Sequence, residues 1–218
     1  MIIAIDGPAG AGKSTVSKIV AQKLGFLYID TGAMYRALTL KVLGEKVDIE
    51  DTVGIIEVAK STVIDLVNNP DSSLRILLDG KDVSRDIRQP YISRFVSDIA
   101  KIKEVREVML GLQRVLGGQR DCVLDGRDIG TVVFPEADKK FYLDANLSER
   151  TRRRHKELQD SGQDTSLSDV ELDIHNRDTI DSTRKIAPLK KAEDAVCIDT
   201  TKMTISEVVD KVLEEIKK

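Results

Sequence analysis

The sequence predicts an α/β protein with a five-stranded parallel sheet flanked by helices. Short apolar runs alternate with segments of helical spacing, which is the pattern of repeated βαβ units. The first run, residues 2–5, leads directly into a glycine-rich stretch at 7–14 and then into a helical pattern. A third observation is the period-two alternation in residues 74–84 around an Asp-Gly pair, which predicts a small β-hairpin inserted beside the main sheet.

A phosphate-binding loop follows the first predicted strand. Residues 7–14 fit the pattern GxxxxGK[ST] and lie between a strand that ends at Asp6 and a helix that starts at about Lys13. Glycines let such a loop approach an anion, and the amides at the helix start favour negative charge. We expect a nucleoside triphosphate site in which Lys13 contacts the β- and γ-phosphates and the Ser14 hydroxyl binds Mg²⁺. The residues expected to bind the triphosphate are Gly7, Pro8, Ala9, Gly10, Ala11, Gly12, Lys13, Ser14 and Thr15.

The next segments complete a βαβ unit. Apolar residues recur at helical spacing over residues 14–24, and Gly25 follows as a typical C-cap. Residues 26–29 form an apolar run that closes with Asp30, and the Thr-Gly pair at 31 and 32 begins another helix. Ligands in such folds bind at the carboxyl ends of the strands.

The inserted segment contains a predicted helix and the hairpin. Asp51 can cap a helix from residue 52 to about 67, with Val63 on its buried side and Asn-Asn-Pro at 68–70 ending it. Alternation over residues 74–84 then predicts two short strands joined at the Asp-Gly turn.

The second half of the chain supplies the other helices and strands. Pro90 begins one amphipathic helix, and a second runs over residues 105–116. Capping boxes are predicted for two later helices, formed by Ser168 with Glu171 and by Thr204 with Glu207. The remaining predicted strands are residues 122–124, 141–143 and 195–198.

Composition limits the class of protein. A length of 218 residues suits one α/β core with inserted segments, and a net charge of −3 creates no overall field that attracts nucleic acid or acidic lipid. The sequence has no run of ~18 uncharged apolar residues, so we expect neither a signal peptide nor a membrane span, and a cytosolic protein. Tryptophan is absent and aromatic residues make up 4%, which disfavours a base-stacking surface for single-stranded nucleic acid. Cys122 and Cys197 each lie in a short apolar run, so both are expected to be buried thiols.

Arginines indicate what the triphosphate site does. Transfer of a phosphoryl group needs dispersed positive charge and an acceptor held in line. A basic run at 150–156 begins a polar stretch that we interpret as a mobile lid, in which Arg150 and Arg154 close over the phosphates of ATP. The alternative is that each arginine is a solvated residue or half of an ordinary ion pair. The other arginines near predicted strand or helix ends are Arg36, Arg106, Arg127, Arg177 and Arg184.

Three further motifs resemble the bacterial cytidylate kinases. They are DTGAMYR at 30–36, DGRDIGTVVFP at 125–135, and RD at 177 and 178 leading to APL at 187–189. With the phosphate loop they cover the whole chain, and the hairpin insert distinguishes this family from adenylate and shikimate kinases. The resemblance implies an ATP- and Mg²⁺-dependent transfer to CMP or dCMP, which gives ADP and CDP or dCDP.

The same resemblance implies how the chain is organised. A single P-loop kinase domain spans residues 1–218, with a nucleoside monophosphate-binding part at about 31–110 that contains the insert at about 60–95. A helical lid is expected at about 148–165. The expected partners are the small molecules ATP and CMP or dCMP, without nucleic acid or membrane, and the expected state is a monomer.

Roles at the transferring phosphates follow from the matched motifs. The resemblance implies that Arg36, Arg127 and Arg184 hold the acceptor and transferring phosphates and act in catalysis together with Lys13. Thr31 is expected near the acceptor, and it keeps the hydroxyl of the serine that many relatives carry at this position. Arg154 is expected to contact ATP from the lid.

Further residues are expected around the acceptor nucleoside. The resemblance implies that Ser97, Arg106 and Asp128 surround cytosine and that Arg177 and Asp181 contact the ribose. A carboxylate can accept from the amino group of cytosine while an arginine or a hydroxyl donates to its ring acceptors, as in the recognition of cytosine in DNA. Uracil has no amino group and would leave Asp128 facing a carbonyl, at a cost of ~1–3 kcal/mol or more.

Three other functions remain open at this point. Another small-molecule P-loop kinase would need a different acceptor for the GlyArgAsp block at 126–128. A GTP-hydrolysing switch would need an NKxD motif, and the sequence has none; its nearest TK pair is followed by Thr204 where the Asp belongs. Binding of nucleic acid through residues 150–156 would depend on one short basic run in an acidic chain.

Overall fold

The computed structural model describes residues 1–69 and 74–218. The strands are β1 (Ile2–Asp6), β2 (Leu27–Asp30), β3 (Ile64–Asn68), β4 (Leu74–Leu78), β5 (Lys81–Asp82), β6 (Cys122–Gly126), β7 (Lys139–Asp144) and β8 (Val196–Asp199). The α-helices are α1 (Lys13–Leu24), α2 (Thr31–Gly44), α3 (Thr52–Lys60), α4 (Pro90–Ala100), α5 (Lys103–Gly117), α6 (Leu147–Asp160), α7 (Leu167–Thr183) and α8 (Ile205–Lys217).

The predicted five-stranded parallel sheet is confirmed. Its strand order is β2, β6, β1, β7 and β8, and every neighbouring pair is parallel. Because side chains alternate along a strand, Ile3 and Ile5 pack on one face with α1 and α8, whereas Ala4 packs on the other with α2 to α5. Helices therefore cover both faces, as continuous apolar strands require.

The parallel strands bring five aspartates to one edge of the sheet. Asp6 ends β1, and Asp30 lies opposite Asp125 at the carboxyl ends of their strands. Asp144 ends β7 in the same way, beside Asp199, the last residue of β8. This edge carries the phosphate loop and the turn after β6, so the fold itself assembles the candidate site.

The inserted segment forms a separate antiparallel sheet, and one predicted element there is wrong. The expected helix over residues 52–67 ends at Lys60, and β3 follows, pairing with β4, while β5 completes the hairpin. Val63, expected on a buried helix face, is exposed. β-Branched residues favour strands, and pairing of Leu66 with Ile76 stabilises the extended form. The Asn-Asn-Pro stretch at 68–70 was expected to end the helix. Its first residue, Asn68, is instead the last residue of β3, and Pro70 lies outside the described residues.

Helix starts match most of the predicted caps. Asp51 accepts from the amide of Gly54, Pro90 begins α4, and Thr204 with Glu207 forms the predicted capping box. The box predicted for Ser168 and Glu171 is wrong, because the helix begins two residues earlier. Ser166 caps it by accepting from the amide of Asp169, and its hydroxyl also bonds the Asp169 carboxylate.

One cysteine prediction is also wrong. Cys122 is buried in the interior strand β6, but Cys197 is exposed. β8 is an edge strand, and its neighbours Val196 and Ile198 point towards the core that contains α8, so Cys197 points away from it. Within the described ranges, no helix is both long enough and apolar enough to cross a membrane.

Candidate functional site

The phosphate loop is tightly fitted against neighbouring backbone. Gly7 has φ 147°, and a Cβ there would lie 2.0 Å from the carbonyl oxygen of Leu143. Gly12 has φ 87° and ends the loop at the start of α1, where the first amides of the helix are open. These glycines are therefore required by the path of the chain, which wraps around the position of an anion.

Lys13 lies folded into the loop. Its Nζ donates to the carbonyl of Pro8 at 2.7 Å, and the side chain is buried. Burial and the nearby charge of Arg127 together lower the pKa of Lys13 to about 7, although Asp125 acts in the opposite direction. A bound triphosphate would favour the charged form and draw this amine towards the phosphates.

Ser14 and Asp125 face each other beside the loop. The Ser14 hydroxyl donates to Asp125 Oδ2 at 2.8 Å, and the Tyr28 hydroxyl donates to Oδ1 at 2.8 Å. Burial and the neighbouring Asp30 raise the pKa of Asp125 to about 6. Thr31 donates from its hydroxyl to the backbone carbonyl of Asp125 at 2.6 Å, which connects the predicted acceptor residue to the same strand end.

Asp128 is held between two arginines. Its carboxylate pairs with Arg106 and lies 3.4 Å from Nη2 of Arg184. Arg106 also donates to the carbonyl of Ala100 at 3.2 Å, and its guanidinium lies 5.6 Å from the centre of the Tyr35 ring. Tyr35, Arg106 and Asp128 line a small cavity between α2, α5 and the turn after β6, where a planar base could be bound.

Asp181 is the second carboxylate that gathers arginines. It accepts from Arg127 Nε at 2.9 Å and lies 3.3 Å from Nη1 of Arg184, so Arg184 bridges Asp128 and Asp181. Arg177 is one turn earlier on α7, and its buried Nε has no hydrogen-bond partner among the described residues. Burial and the charge of Arg127 lower the pKa of Arg177 to about 10, so this guanidinium is still charged at neutral pH.

Two further residues predicted for the acceptor side lie on α2 and α4. Arg36 pairs at 3.2 Å with Asp30, the residue that caps the start of α2. Ser97 is buried on α4. This helix packs against α2 and also contacts α7, the helix that carries Arg177 and Asp181.

The basic run lies on α6, and its arginines make two different kinds of contact. Arg150 is buried, donates to the carbonyl of Ala9 at 2.9 Å, and pairs with Asp178 on α7. Asp178 in turn accepts from the amide of Ala9 at 3.0 Å. Arg154 pairs instead with exposed Glu157 at 2.8 Å. Arg150 is thus built into the wall of the loop, whereas Arg154 has an exposed partner that a phosphate could replace.

The motifs predicted Asp128 and Asp181, the two carboxylates that gather the arginines. They left two other carboxylates without a role, Asp125 beside Ser14 and Asp178 beside Arg150. Asp125 begins the motif at 125–135 and lies at a strand end, and a carboxylate in that position is typical of a metal-binding residue. Asp178 also stood in a motif, but its contact with Ala9 depends on how α7 packs against the loop and has no local signature. Tyr35 beside Arg106 was likewise visible only as an early residue of α2.

The residues beside the loop fit a magnesium ion held largely by phosphates. A serine hydroxyl and a carboxylate are oxygen ligands, and Mg²⁺ is usually bound by one or two carboxylates together with substrate phosphates. Residues 1–69 and 74–218 contain no group of three or more His, Cys, Asp and Glu side chains that could enclose a metal.

Sequence comparisons with known proteins agree on one family. A family profile described as Cytidylate kinase matches residues 3–218. The chain is 53% identical over 216 residues to "Cytidylate kinase" of Desulforamulus reducens, covering 99% of this chain and 96% of the relative. It is 52% identical over 216 residues to "Cytidylate kinase" of Caldanaerobacter subterraneus, covering 99% and 94%. The fold is similar to shikimate kinase from Bacteroides thetaiotaomicron, with a TM-score of 0.50, 14% identity, and 100% and 99% of the two chains covered.

Proposed function

This chain belongs to the cytidylate kinase family, and on that premise we propose that it transfers the γ-phosphoryl group of ATP to CMP or dCMP. The observation that supports this function best is the position of Asp128, which Arg106 and Arg184 hold one residue after Arg127. Asp128, the group proposed to recognise cytosine, and Arg127, a cation that can bind phosphate, are thus adjacent. They lie at the edge of the sheet where the phosphate loop begins.

In the proposed acceptor site, Asp128 accepts from the amino group of cytosine, and Arg106 and Ser97 donate to the ring acceptors. Asp181 and Arg177 contact the ribose, and Thr31 lies near the acceptor phosphate. The orphaned Nε of Arg177 supports this assignment, because a buried donor without a partner costs free energy that a bound hydroxyl would recover.

Phosphoryl transfer needs charge neutralisation more than acid or base chemistry. An oxygen of the CMP phosphate attacks the γ-phosphorus, the new P–O bond forms, and the bond to the bridging oxygen of ADP breaks. Arg36, Arg127 and Arg184 stabilise the charge on the transferring group, and Lys13 contacts the β- and γ-oxygens. In the substrate-free chain the three arginines are paired with Asp30, Asp128 and Asp181, so carboxylates hold the guanidinium groups near their working positions.

On the donor side, the loop residues bind the phosphates of ATP through their backbone amides. Gly7, Pro8, Ala9, Gly10, Ala11, Gly12, Ser14 and Thr15 form this cradle together with Lys13. Ser14 and Asp125 would hold Mg²⁺, which supplies neutralisation of the β- and γ-phosphates when bound. Arg154 would exchange Glu157 for ATP when the lid closes, which excludes water and limits hydrolysis.

We propose the same domain organisation that the sequence predicts. Residues 1–218 act as one kinase domain, with the monophosphate-binding part at about 31–110, the insert at about 60–95 and the lid at about 148–165. We propose a monomer, as the resemblance implies. A cytosolic location agrees with nucleotide substrates.

The test is release of ADP from ATP and Mg²⁺ with CMP, dCMP, UMP, AMP, GMP or no acceptor. We expect turnover with CMP and dCMP, and Asp128→Asn should lower kcat/KM for CMP by about 10-fold or more, because the amide presents a donor to the cytosine amino group. Asp194→Asn, which removes an exposed carboxylate paired with Lys140, is the matched control. Equal ADP release without any acceptor would overturn the proposed function.

A further inference from the structure

Asp6 contacts the turn that follows Arg127 and Asp128, although the two segments are more than 100 positions apart in the sequence. It is the last residue of β1, directly before Gly7 of the phosphate loop, and it is buried with 4% exposure. Its Oδ1 accepts from the amide of Ile129 at 2.9 Å, and its Oδ2 accepts from the amide of Gly130 at 2.8 Å. Both carboxylate oxygens are thus bound to the turn after Asp128.

These two amides lie at the start of a helical turn whose N-cap residue makes no capping hydrogen bond. The turn spans Ile129–Val133, with Asp128 at the N-cap position and no capping bond from the Asp128 side chain. The Asp128 carboxylate instead pairs with Arg106 and Arg184. Asp6 supplies the missing acceptors from the neighbouring strand, which leaves Asp128 available for a ligand.

Close packing around the turn makes this contact specific. A Cβ at Gly130 would lie 3.1 Å from Lys140 Cδ and 3.5 Å from Asp6 Oδ2. The opposite side of the turn is fixed by Arg114, whose Nε donates to the carbonyl of Val133 at 3.0 Å. The start of the turn therefore depends on Asp6, and a shift there would move Arg127 and Asp128.

We propose that Asp6 is a positioning residue for acceptor recognition, which holds the turn carrying Arg127 and Asp128 in a fixed place relative to the phosphate loop. This inference rests on the proposed function for its kinetic consequence. A carboxylate is required, because an asparagine offers one oxygen and one amino group, so one of the two amides would face another donor.

The experiment compares the full-length wild-type chain with Asp6→Asn and Asp144→Asn. Asp144 ends β7 and accepts from the amide of its neighbour Ala145, so its substitution changes a strand-end aspartate without touching the turn. Amide hydrogen exchange by NMR is measured for Ile129 and Gly130 without substrate. Kinetics with CMP and UMP are measured at saturating ATP.

For Asp6→Asn we expect faster exchange at Ile129 and Gly130, and a rise of about tenfold in KM for CMP with a smaller change in kcat. The ratio of kcat/KM for CMP to that for UMP should fall, whereas Asp144→Asn should keep it. Asp6→Asn and Asp6→Ala are both measured at a temperature where circular dichroism shows them to be folded, because a weaker fold would also speed amide exchange. Unchanged exchange and an unchanged CMP to UMP ratio in folded Asp6→Asn would overturn the proposal. The exchange measurement needs no substrate, so it separates a failure of this inference from a failure of the proposed function.

Discussion

The Ser14 hydroxyl donates a 2.8 Å hydrogen bond to the Asp125 carboxylate, whose other oxygen accepts from Tyr28. The two proposed magnesium residues are thus already aligned in the substrate-free chain, at the carboxyl end of β6. A third group, the Tyr28 hydroxyl, fixes the orientation of the carboxylate. This alignment reduces the ordering that the metal-nucleotide complex must impose when it binds.

Asp125→Asn should raise the Mg²⁺ concentration needed for half-maximal activity and lower kcat. An amide keeps the shape but removes the charge that attracts the ion, and changes of this kind typically cost about 10- to 100-fold. The measurement is a Mg²⁺ titration of ADP release at fixed ATP. Asp121→Asn changes an exposed aspartate at the other end of the same segment and serves as the control. A titration curve for Asp125→Asn that coincides with the wild-type curve would remove this residue from the metal site.

Arg184→Met should lower kcat by about 1,000-fold, in the range found when a transition-state arginine is lost. Arg184 is the one residue that contacts both Asp128 and Asp181 within the described structure, so its loss removes positive charge and separates two parts of the site. Steady-state kinetics with CMP and ATP measure the effect. Arg152→Met is the control, because Arg152 is exposed and pairs with Glu149. Comparable loss in both variants would indicate a general effect of removing arginine rather than a catalytic role.

The capping box at the start of α8 gives a prediction on stability alone. Thr204→Ala removes the side-chain acceptor for the amide of Glu207, and loss of such a cap costs about 1 kcal/mol. For a chain of this length, we expect the melting temperature to fall by about 2–4 °C. Calorimetry measures the shift, and CMP kinetics at 25 °C should be unchanged because α8 lies away from the acceptor residues. A large loss of activity without a loss of stability would contradict this assignment.

The two thiols should differ in reactivity. Burial raises the pKa of the Cys122 thiol to about 11, and this residue lies on an interior strand of the sheet, whereas Cys197 is exposed on the edge strand. Titration with a thiol reagent at pH 8 should label one equivalent in the native protein and two after denaturation. Cys197→Ser should abolish the native labelling. Labelling of two native equivalents would mean that β6 opens readily.

Local sequence signals predicted the elements that depend on local chemistry. The phosphate loop follows from glycine spacing, and the start of α8 follows from the Thr204 and Glu207 pair, because both are determined within a few residues. The helical spacing over residues 52–67 includes most of β3, because Val63 and Val67 fit a helical face as well as a strand. Only the pairing of Leu66 with Ile76 decides between these conformations, and that contact is not local.

The same distinction applies to the candidate site. Arginines and aspartates in motifs could be named, but their pairing could not. Asp181 binds Arg127 across 54 positions, and Asp6 binds Gly130 across 124 positions. Such contacts are produced by parallel strands and helix packing, which bring strand ends together irrespective of their separation in sequence.

The last prediction concerns pH and the stability contribution of Asp6. Burial raises the pKa of folded Asp6 to about 6, above the ordinary value of 3.8, although the amides of Gly130 and Ile129 act in the opposite direction. The folded chain therefore binds more protons at Asp6 than the unfolded chain between these two pH values. The contribution of Asp6 to the free energy of unfolding should fall as the pH rises through this window and stay constant above it.

Urea unfolding of the wild type and of Asp6→Asn at a series of pH values from 4 to 7 measures this contribution, because all other titrating groups are shared. The difference between a pKa of about 6 and the ordinary value of 3.8 corresponds to about 3 kcal/mol. We therefore expect the unfolding free energy of the wild type minus that of Asp6→Asn to fall by about this amount across the window. The fall should be complete near pH 7. Parallel curves over the whole range would show that Asp6 titrates at the same pH in the folded and unfolded chains.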